Sequence, residues 1–511
     1  MPDLVRNPTL LDQPLIDTVE GGGWPGLANW VRVLLLVVGL QVIWQLNSRF
    51  WLDETLTYWT TNQGLNEIVQ RCIMWPNSIL YSSLFYGMRL LGATSPWVYR
   101  LPSLLAVLVS GFVLFRMVRR IFGIHIAWLA IATFAALRPV QFAAADARPY
   151  ALGLAAAVLS TDILLRFLDR PSYKLAVLYG FTSALVLHFH LLFGAALLFQ
   201  FIYIAYKWYC GLRIPIRYLA AGLAVLLLIA FPLVAELSLL SKNPAQHSFT
   251  DSPHPNNLVE MFVPAYPTIA LLSALTVAAL TASRVNLKWT NDDASHWVLV
   301  ALWTLTPPAV LFALSILSTA HVFIPRYFLP YAPGLAICFA LAVGLVKSPA
   351  VGRTFLLILI LTSAQQFRHL STLRHTSDLG DWGAAVALVN QETPKGEPVL
   401  VRSQYVESDS VSLDPVIDNP AFSQLAFYPI KTRVIPLPVN FREPQRALLD
   451  EVSRTTLEPA RRFLFVAYTN TPGSSEPFFY YLRGRLGPSW QVRTLGVFDG
   501  VVVTEFQMSG S

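Results

Sequence analysis

The chain has 511 residues, of which 54% are apolar and only 13% charged, with a mean hydropathy of +0.51. Soluble domains carry roughly 25% charged residues, so this chain has too little charge to clothe a soluble surface, and composition excludes disorder, coiled coil and a basic nucleic-acid-binding domain. The net charge of +7 is uneven, with 23 Lys and Arg against 15 Asp and Glu over residues 1–366 and 14 against 15 over residues 367–511, which reads as cytoplasmic anchoring loops between membrane spans.

Residues 1–29 carry Asp3, Asp12, Asp17 and Glu20 and no apolar run, so they read as a cytoplasmic N-terminal segment and not as a cleaved signal peptide. A span needs about 20 mostly apolar residues. Candidates fall near 30–47, 97–117, 124–142, 149–168, 174–189, 191–209, 216–238, 266–283, 296–318, 328–346 and 353–366, about eleven in all. Residues 77–93 are apolar too, and whether they cross decides the sidedness of every later loop. With 77–93 lying along the surface, fifteen Lys and Arg collect on one side of the spanning part and eight on the other. Were the segment to cross, that asymmetry would largely vanish. The positive-inside rule therefore makes 77–93 interfacial and the N-terminus cytoplasmic.

That topology predicts a multi-span domain over 30–366. Its outer side receives a long first loop, 48–96, with interfacial helices. It also receives the Arg138–Tyr150 corner and a loop from Ser241 to Ala265 rich in Pro, His and Asn. Residues 367–511 change character. Charge rises and turn residues such as Pro394-Lys395-Gly396 appear; runs at Pro398–Arg402, Arg433–Leu437, Phe463–Tyr468 and Val501–Phe506 read as short strands. Helical patterns at 379–392 and 476–486 sit between them. The fold class is thus a polytopic α-helical membrane protein with a C-terminal extracytoplasmic α/β domain. The tail has no Gly-rich phosphate loop, so support or acceptor binding is expected of it rather than chemistry. The cysteines Cys72, Cys210 and Cys338 are too far apart to suggest a disulfide framework or a cysteine zinc site.

Four constellations carry the chemistry. Asp53 and Glu54 follow the first span. Adjacent carboxylates at a membrane boundary are costly unless solvated or used. They read either as a pair capping the next helix or as a general base beside a shielded cleft. Asp146-Ala147-Arg148-Pro149-Tyr150 forms an outer corner. Asp146 there is either a helix cap or a partner of Asp53 on the same side of the membrane. Arg326-Tyr327, flanked by Pro325 and Pro330, either anchors at the lipid edge or clamps a phosphate, which guanidinium geometry suits. The outer histidines His188, His190, His247, His254 and His321 lack the spacing of a known metal motif. His188 and His190 are two apart and cannot share a helical face; they are candidate acceptor or phosphate contacts.

The ordered set Asp53-Glu54, Arg100-Leu101-Pro102-Ser103, Asp146-Ala147-Arg148-Pro149-Tyr150-Ala151-Leu152 and Arg326-Tyr327-Phe328-Leu329-Pro330 resembles the C-type (GT-C) membrane glycosyltransferases. These use polyprenyl-phosphate sugars and include the protein O-mannosyltransferases and the aminoarabinose transferase acting on lipid A. The tail beginning Asp381-Trp382 also resembles the α/β appendage of some such proteins. The resemblance implies inverting hexosyl or pentosyl transfer at the outer face of the cell's inner membrane. Asp53 would be the base, with Glu54 and Asp146 assisting. Arg148 and Arg326, with Tyr150 and Tyr327, would hold the donor phosphate. It further implies a polyprenyl-phosphate-linked sugar donor and a lipid, glycan or protein acceptor, with no nucleic acid. Many relatives carry His-Pro-Pro where this chain has Trp75-Pro76-Asn77. Metal use varies among relatives, so no cofactor is assigned and a divalent metal stays open. Two readings from other classes remain. One is a transporter or flippase of lipid-linked sugars, for which Asp162 and Glu236 are the notable mid-span or near-span charges. The other is a non-catalytic assembly subunit.

Overall fold

The computed structural model describes residues 26–74, 78–234, 238, 252–281, 291–319, 321–346, 348–365, 380–402, 420–438, 440–441, 443–468 and 477–510. Trp75-Pro76-Asn77, Glu236 and His247 lie outside them. The helices in chain order are α1 (Leu27–Leu46), α2 (Leu52–Thr60), α3 (Leu65–Met74), α4 (Ile79–Leu90), α5 (Pro96–Phe122), α6 (Ile124–Ala136), α7 (Arg138–Ala144), α8 (Tyr150–Asp169), α9 (Tyr173–Phe189), α10 (Gly194–Tyr209) and α11 (Ile216–Ala230). They continue with α12 (Pro255–Phe262), α13 (Ala265–Leu280), α14 (Asn291–Leu317), α15 (Ala332–Gly344), α16 (Pro349–Gln365), α17 (Trp382–Glu392), α18 (Ser423–Phe427), α19 (Glu443–Val452) and α20 (Pro477–Leu486).

A helix or a bent helix pair coincides with every one of the eleven apolar runs. Among the described residues, six helices are long and apolar enough to cross a membrane, or eight if each of two bent pairs is one span. Three further apolar helices, α9, α11 and α16, are shorter. The bent pairs are α6–α7, turning by 69°, and α12–α13, turning by 59°. Helix α4 has twelve residues, a rise of about 18 Å against a hydrocarbon core of about 30 Å.

The chain divides into two compact units that follow contacts and not chain order. One comprises residues 1–46, 75–81 and 97–368; the other comprises 47–74, 82–96 and 369–511. Most of the first loop, grouped by the sequence reading with the spanning domain, therefore belongs with the C-terminal residues.

The first unit is a helical bundle around one apolar core to which α1, α5, α6, α8, α14, α15 and α16 all contribute. Small residues set the closest approaches. A side chain at Gly180 on α9 would meet the Gly222 carbonyl of α11, the small-residue packing by which helices associate in lipid. Some polar side chains inside this unit are paired, within a helix or across helices. Gln200 on α10 donates to Ser160 and Thr161 of α8 at 2.8 and 2.9 Å. Asp162, flagged in sequence as a transporter-like charge, pairs with Arg166 one turn along at 2.6 Å and with Arg120 of α5 at 3.6 Å.

The second unit is built on a five-stranded sheet in the order β2-β1-β3-β5-β4. The strands are β1 (Val399–Arg402), β2 (Val434–Leu437), β3 (Arg462–Tyr468), β4 (Trp490–Phe498) and β5 (Val501–Met508). Strand β1 runs parallel to both its neighbours, while β5 is antiparallel to β3 and β4. The expected strands and both expected helices are present. Strand β4 was missed. It ends in the Asp499-Gly500 turn, both residues at positive φ, as a two-residue hairpin requires. A bulge between Thr494 and Gly496 breaks its alternation, which hides the period of two.

Within this unit the first loop is packed on C-terminal residues. Asp381 caps α17 by accepting from the Ala384 N–H at 2.9 Å and pairs with Arg49 at 2.7 Å. The Phe50 N–H donates to the Tyr428 hydroxyl at 2.8 Å, and the Thr55 and Ser423 hydroxyls lie 3.3 Å apart. The Phe427 ring sits 4.6 Å from Phe50 and 4.8 Å from Tyr58.

Candidate functional site

Three breaks in helical structure bring the predicted basic and aromatic residues of the first unit together. The α6–α7 bend and the brevity of α7 deliver the chain to the Ala145–Pro149 turn, where Asp146 is buried at 1% exposure. The Ser103 hydroxyl of α5 donates to the Arg148 carbonyl at 3.4 Å and buttresses this turn. Arg148 is half-buried, its guanidinium 5.8 Å from the Tyr150 ring centre. A second break, between α9 and α10, holds His190 in extended backbone ahead of a 3₁₀ turn, Leu191–Phe193. The third is the 3₁₀ segment Pro325–Tyr331, where half-buried Arg326 lies 5.4 Å from the Tyr327 ring centre. Both arginines are within the cation–π range.

His190 is the hub. Its ring centre is 4.9 Å from Tyr327, 5.0 Å from Phe193 and 5.3 Å from Tyr150, and the two tyrosine rings are 6.1 Å apart. Gly153 permits this closeness, because a Cβ there would come within 2.6 Å of the Phe193 ring. Enclosure first, then the Arg148 and Arg326 guanidiniums, push the imidazole down to about 3. His190 is therefore neutral at any physiological pH. Its Nδ1 is enclosed with no hydrogen-bond partner among the described residues. Two guanidiniums stacked on tyrosines beside a neutral imidazole can bind a phosphate and neutralise charge that develops on it.

His188 is placed elsewhere. Its Nε2 is 2.8 Å from the Ile229 carbonyl near the end of α11, and its own carbonyl accepts from the Ser78 hydroxyl at 2.6 Å. The two histidines thus face apart, as their spacing implies. Arg100 is fully buried and donates to the Leu46 and Gln45 carbonyls at 2.7 and 3.3 Å, closing the C-terminal end of α1.

Asp53 and Glu54 lie in the second unit, in the first turn of α2. Glu54 is fully buried, and its Oε2 accepts from the Trp51 N–H at 3.2 Å, so it caps the helix. Asp53 beside it is only half-buried. The far end of α2 is held by two arginines. Arg71 donates to the Trp59 carbonyl and to Asn62 Oδ1, with its guanidinium 4.0 Å from the Trp59 ring centre. Arg89 donates to the Thr61 carbonyl and lies 4.6 Å from the Tyr58 ring centre. A nine-residue helix that would be marginal alone is thereby held at both ends. Among the described residues, no three His, Cys, Asp or Glu side chains gather as a metal site would require.

Sequence reasoning missed Phe193, Gly153 and the structural role of Arg100. A glycine and a phenylalanine in an apolar run look like any lipid-phase packing, and only the fold reveals that they seat His190.

No protein-family model matches the sequence, and no curated protein matches it. Among solved structures the chain is similar to ArnT from Cupriavidus metallidurans bound to undecaprenyl phosphate, with a TM-score of 0.55 and 12% identity, over 93% of this chain and 98% of that one. The same protein in the apo state gives a TM-score of 0.54 and 13% identity over the same shares of the two chains. At such identity the likeness speaks to architecture, and the architecture is GT-C-like: an ArnT-type bundle of apolar helices carrying a C-terminal sheet domain.

Proposed function

We propose that this chain is an inverting glycosyltransferase that moves a sugar from a polyprenyl-phosphate donor to an acceptor at the outer face of a cell membrane. The observation that carries the reading is the cluster of Arg148 and Arg326 on Tyr150 and Tyr327 around His190. It lies in a fold shared with a protein solved with undecaprenyl phosphate bound. A lipid-linked donor suits such a protein, because its apolar chain can stay among the helices while its phosphate meets the guanidiniums.

In this reading Asp53 takes the proton from the acceptor hydroxyl, or orients an acceptor amine. The acceptor atom bonds to the anomeric carbon as the bond from that carbon to the phosphate oxygen breaks. Polyprenyl phosphate departs with the bonding pair, its charge met by Arg148 and Arg326. Attack opposite the leaving group inverts the anomeric centre. Asp146 assists in orienting the acceptor. Glu54 fixes the turn that presents Asp53, a role consistent with its bond to the Trp51 N–H.

The test is incubation of purified protein with polyprenyl-phosphate sugars and candidate acceptors. Wild type should yield a glycosylated acceptor of inverted configuration. Asp53→Asn should fold normally and lose about 10²–10⁴-fold in turnover, the usual worth of a general base. A flippase would move the donor lipid across vesicles and form no new glycosidic bond. An assembly subunit would keep its cellular role with Asn at position 53.

A further inference from the structure

Trp303 on α14 is fully buried and touches both walls of the His190 cluster indirectly. On one side its indole N–H donates to the Pro330 carbonyl at 2.7 Å. Pro330 belongs to the 3₁₀ segment that bears Arg326 and Tyr327. On the other side its ring stacks on Phe199 of α10, with centres 5.3 Å apart and planes at 18°. Helix α10 is the direct continuation of the His190–Phe193 break. The contact is close and specific: at Gly334, just beyond the 3₁₀ segment, a Cβ would come within 2.7 Å of Thr304 Oγ1 and 2.8 Å of the Thr304 backbone nitrogen. Other bonds hold the neighbourhood: Val322 N–H to Ser315 Oγ at 2.9 Å, Tyr331 hydroxyl to the Met261 carbonyl at 3.1 Å, and Thr304 Oγ1 at 3.4 Å from Cys338 Sγ. None of these bonds links the Arg326 wall to the His190 wall, which meet through the Tyr327 ring on His190 and Tyr150.

We infer that Trp303 is a positioning residue that sets the spacing between the Arg326 wall and the His190 wall, and so the fit of the cluster to a lipid-linked phosphate. The inference rests on the phosphate reading above and adds the residue that tunes it. A buried carbonyl that loses its donor must find another partner or move, and a shift of about 1 Å in a bidentate anion clamp is enough to cost it. Trp303→Phe removes the N–H and keeps a flat ring against Phe199.

The probe is undecaprenyl phosphate, titrated against the detergent-solubilised full chain. Trp303→Phe should weaken binding about tenfold while the thermal midpoint falls by only a few degrees. Gln41→Leu removes a buried bond from α1 to the Ser363 carbonyl of α16, helices that bear none of the cluster residues. It should lower the midpoint and leave the affinity alone. On an Arg326→Gln background Trp303→Phe should add less than twofold. Were Trp303→Phe too unstable to assay, Phe199→Leu, which keeps the indole N–H, should weaken binding in the same direction. Wild-type affinity in Trp303→Phe, or fully additive losses with Arg326→Gln, would overturn the assignment while the phosphate reading stands. Failure of wild type itself to bind undecaprenyl phosphate would bring down the phosphate reading, and this inference with it.

Discussion

Three arginines that look alike in the sequence, each near the end of an apolar run, have different environments. Arg100 has no exposed surface and donates to the last carbonyls of α1, groups that in a lipid-facing bundle have no water to turn to. Arg148 and Arg326 are half-buried, stack on tyrosines and flank His190. The difference is measurable. Arg100→Leu leaves two buried carbonyls without that donor, at about 1–3 kcal/mol for each unsatisfied group, so the thermal midpoint in detergent should fall sharply. Arg326→Gln should unfold near the wild-type midpoint and lose affinity for undecaprenyl phosphate. If Arg100→Leu were as stable as wild type, closure of α1 would not be its role.

At the scale of elements, α9 and α11 pack backbone against backbone in the spanning unit. A Cβ on Gly180 would fall inside the van der Waals shell of the Gly222 carbonyl oxygen, and one on Gly222 would lie 2.9 Å from the Ala176 carbonyl oxygen. Both obstacles are backbone, which cannot rotate away. Gly180→Val should therefore push the helices apart and cost about 1–3 kcal/mol, the usual range for overpacking. Gly39→Ala on α1, where nothing lies within 4 Å, should be neutral in the same thermal assay. The helices themselves were legible because lipid imposes the rule: a span must be apolar and long, and little else satisfies its backbone. The breaks were harder. Residues 124–142 read as one run, and the 69° turn at Leu137 has no apolar signature. Strand β4 vanished for the analogous reason that its bulge interrupts alternation. Of the candidate residues, Arg148, Tyr150, Arg326 and Tyr327 stood in recognisable motifs and meet in space around His190, which the sequence offered only as one of several outer histidines. Spacing along the chain could say that His188 and His190 point apart, but not that His188 would reach the Ile229 carbonyl.

For the whole molecule the parity of crossings decides sidedness. If all eleven apolar runs cross and α4 does not, seven crossings separate Lys174 at the start of α9 from Lys395 in the sheet domain, and the two lie on opposite sides. The weak members are α9, α11 and α16, with 17, 15 and 17 residues, rising about 26, 22 and 26 Å. Each is shorter than a hydrocarbon core of about 30 Å, a mismatch a bilayer can meet by thinning or by snorkelling of flanking side chains. Lys174 and Lys395 are both exposed, so single cysteines at these positions on a cysteine-free background report sidedness. In intact cells an impermeant maleimide should label position 395 and spare position 174, which should react only after permeabilisation. Labelling of both from the same side would mean that an odd number of the presumed crossings fails, and the short helices would be the first to suspect. Labelling of 174 alone would invert the molecule, and an acceptor met at the outer face would then require another site than the corner at Asp146.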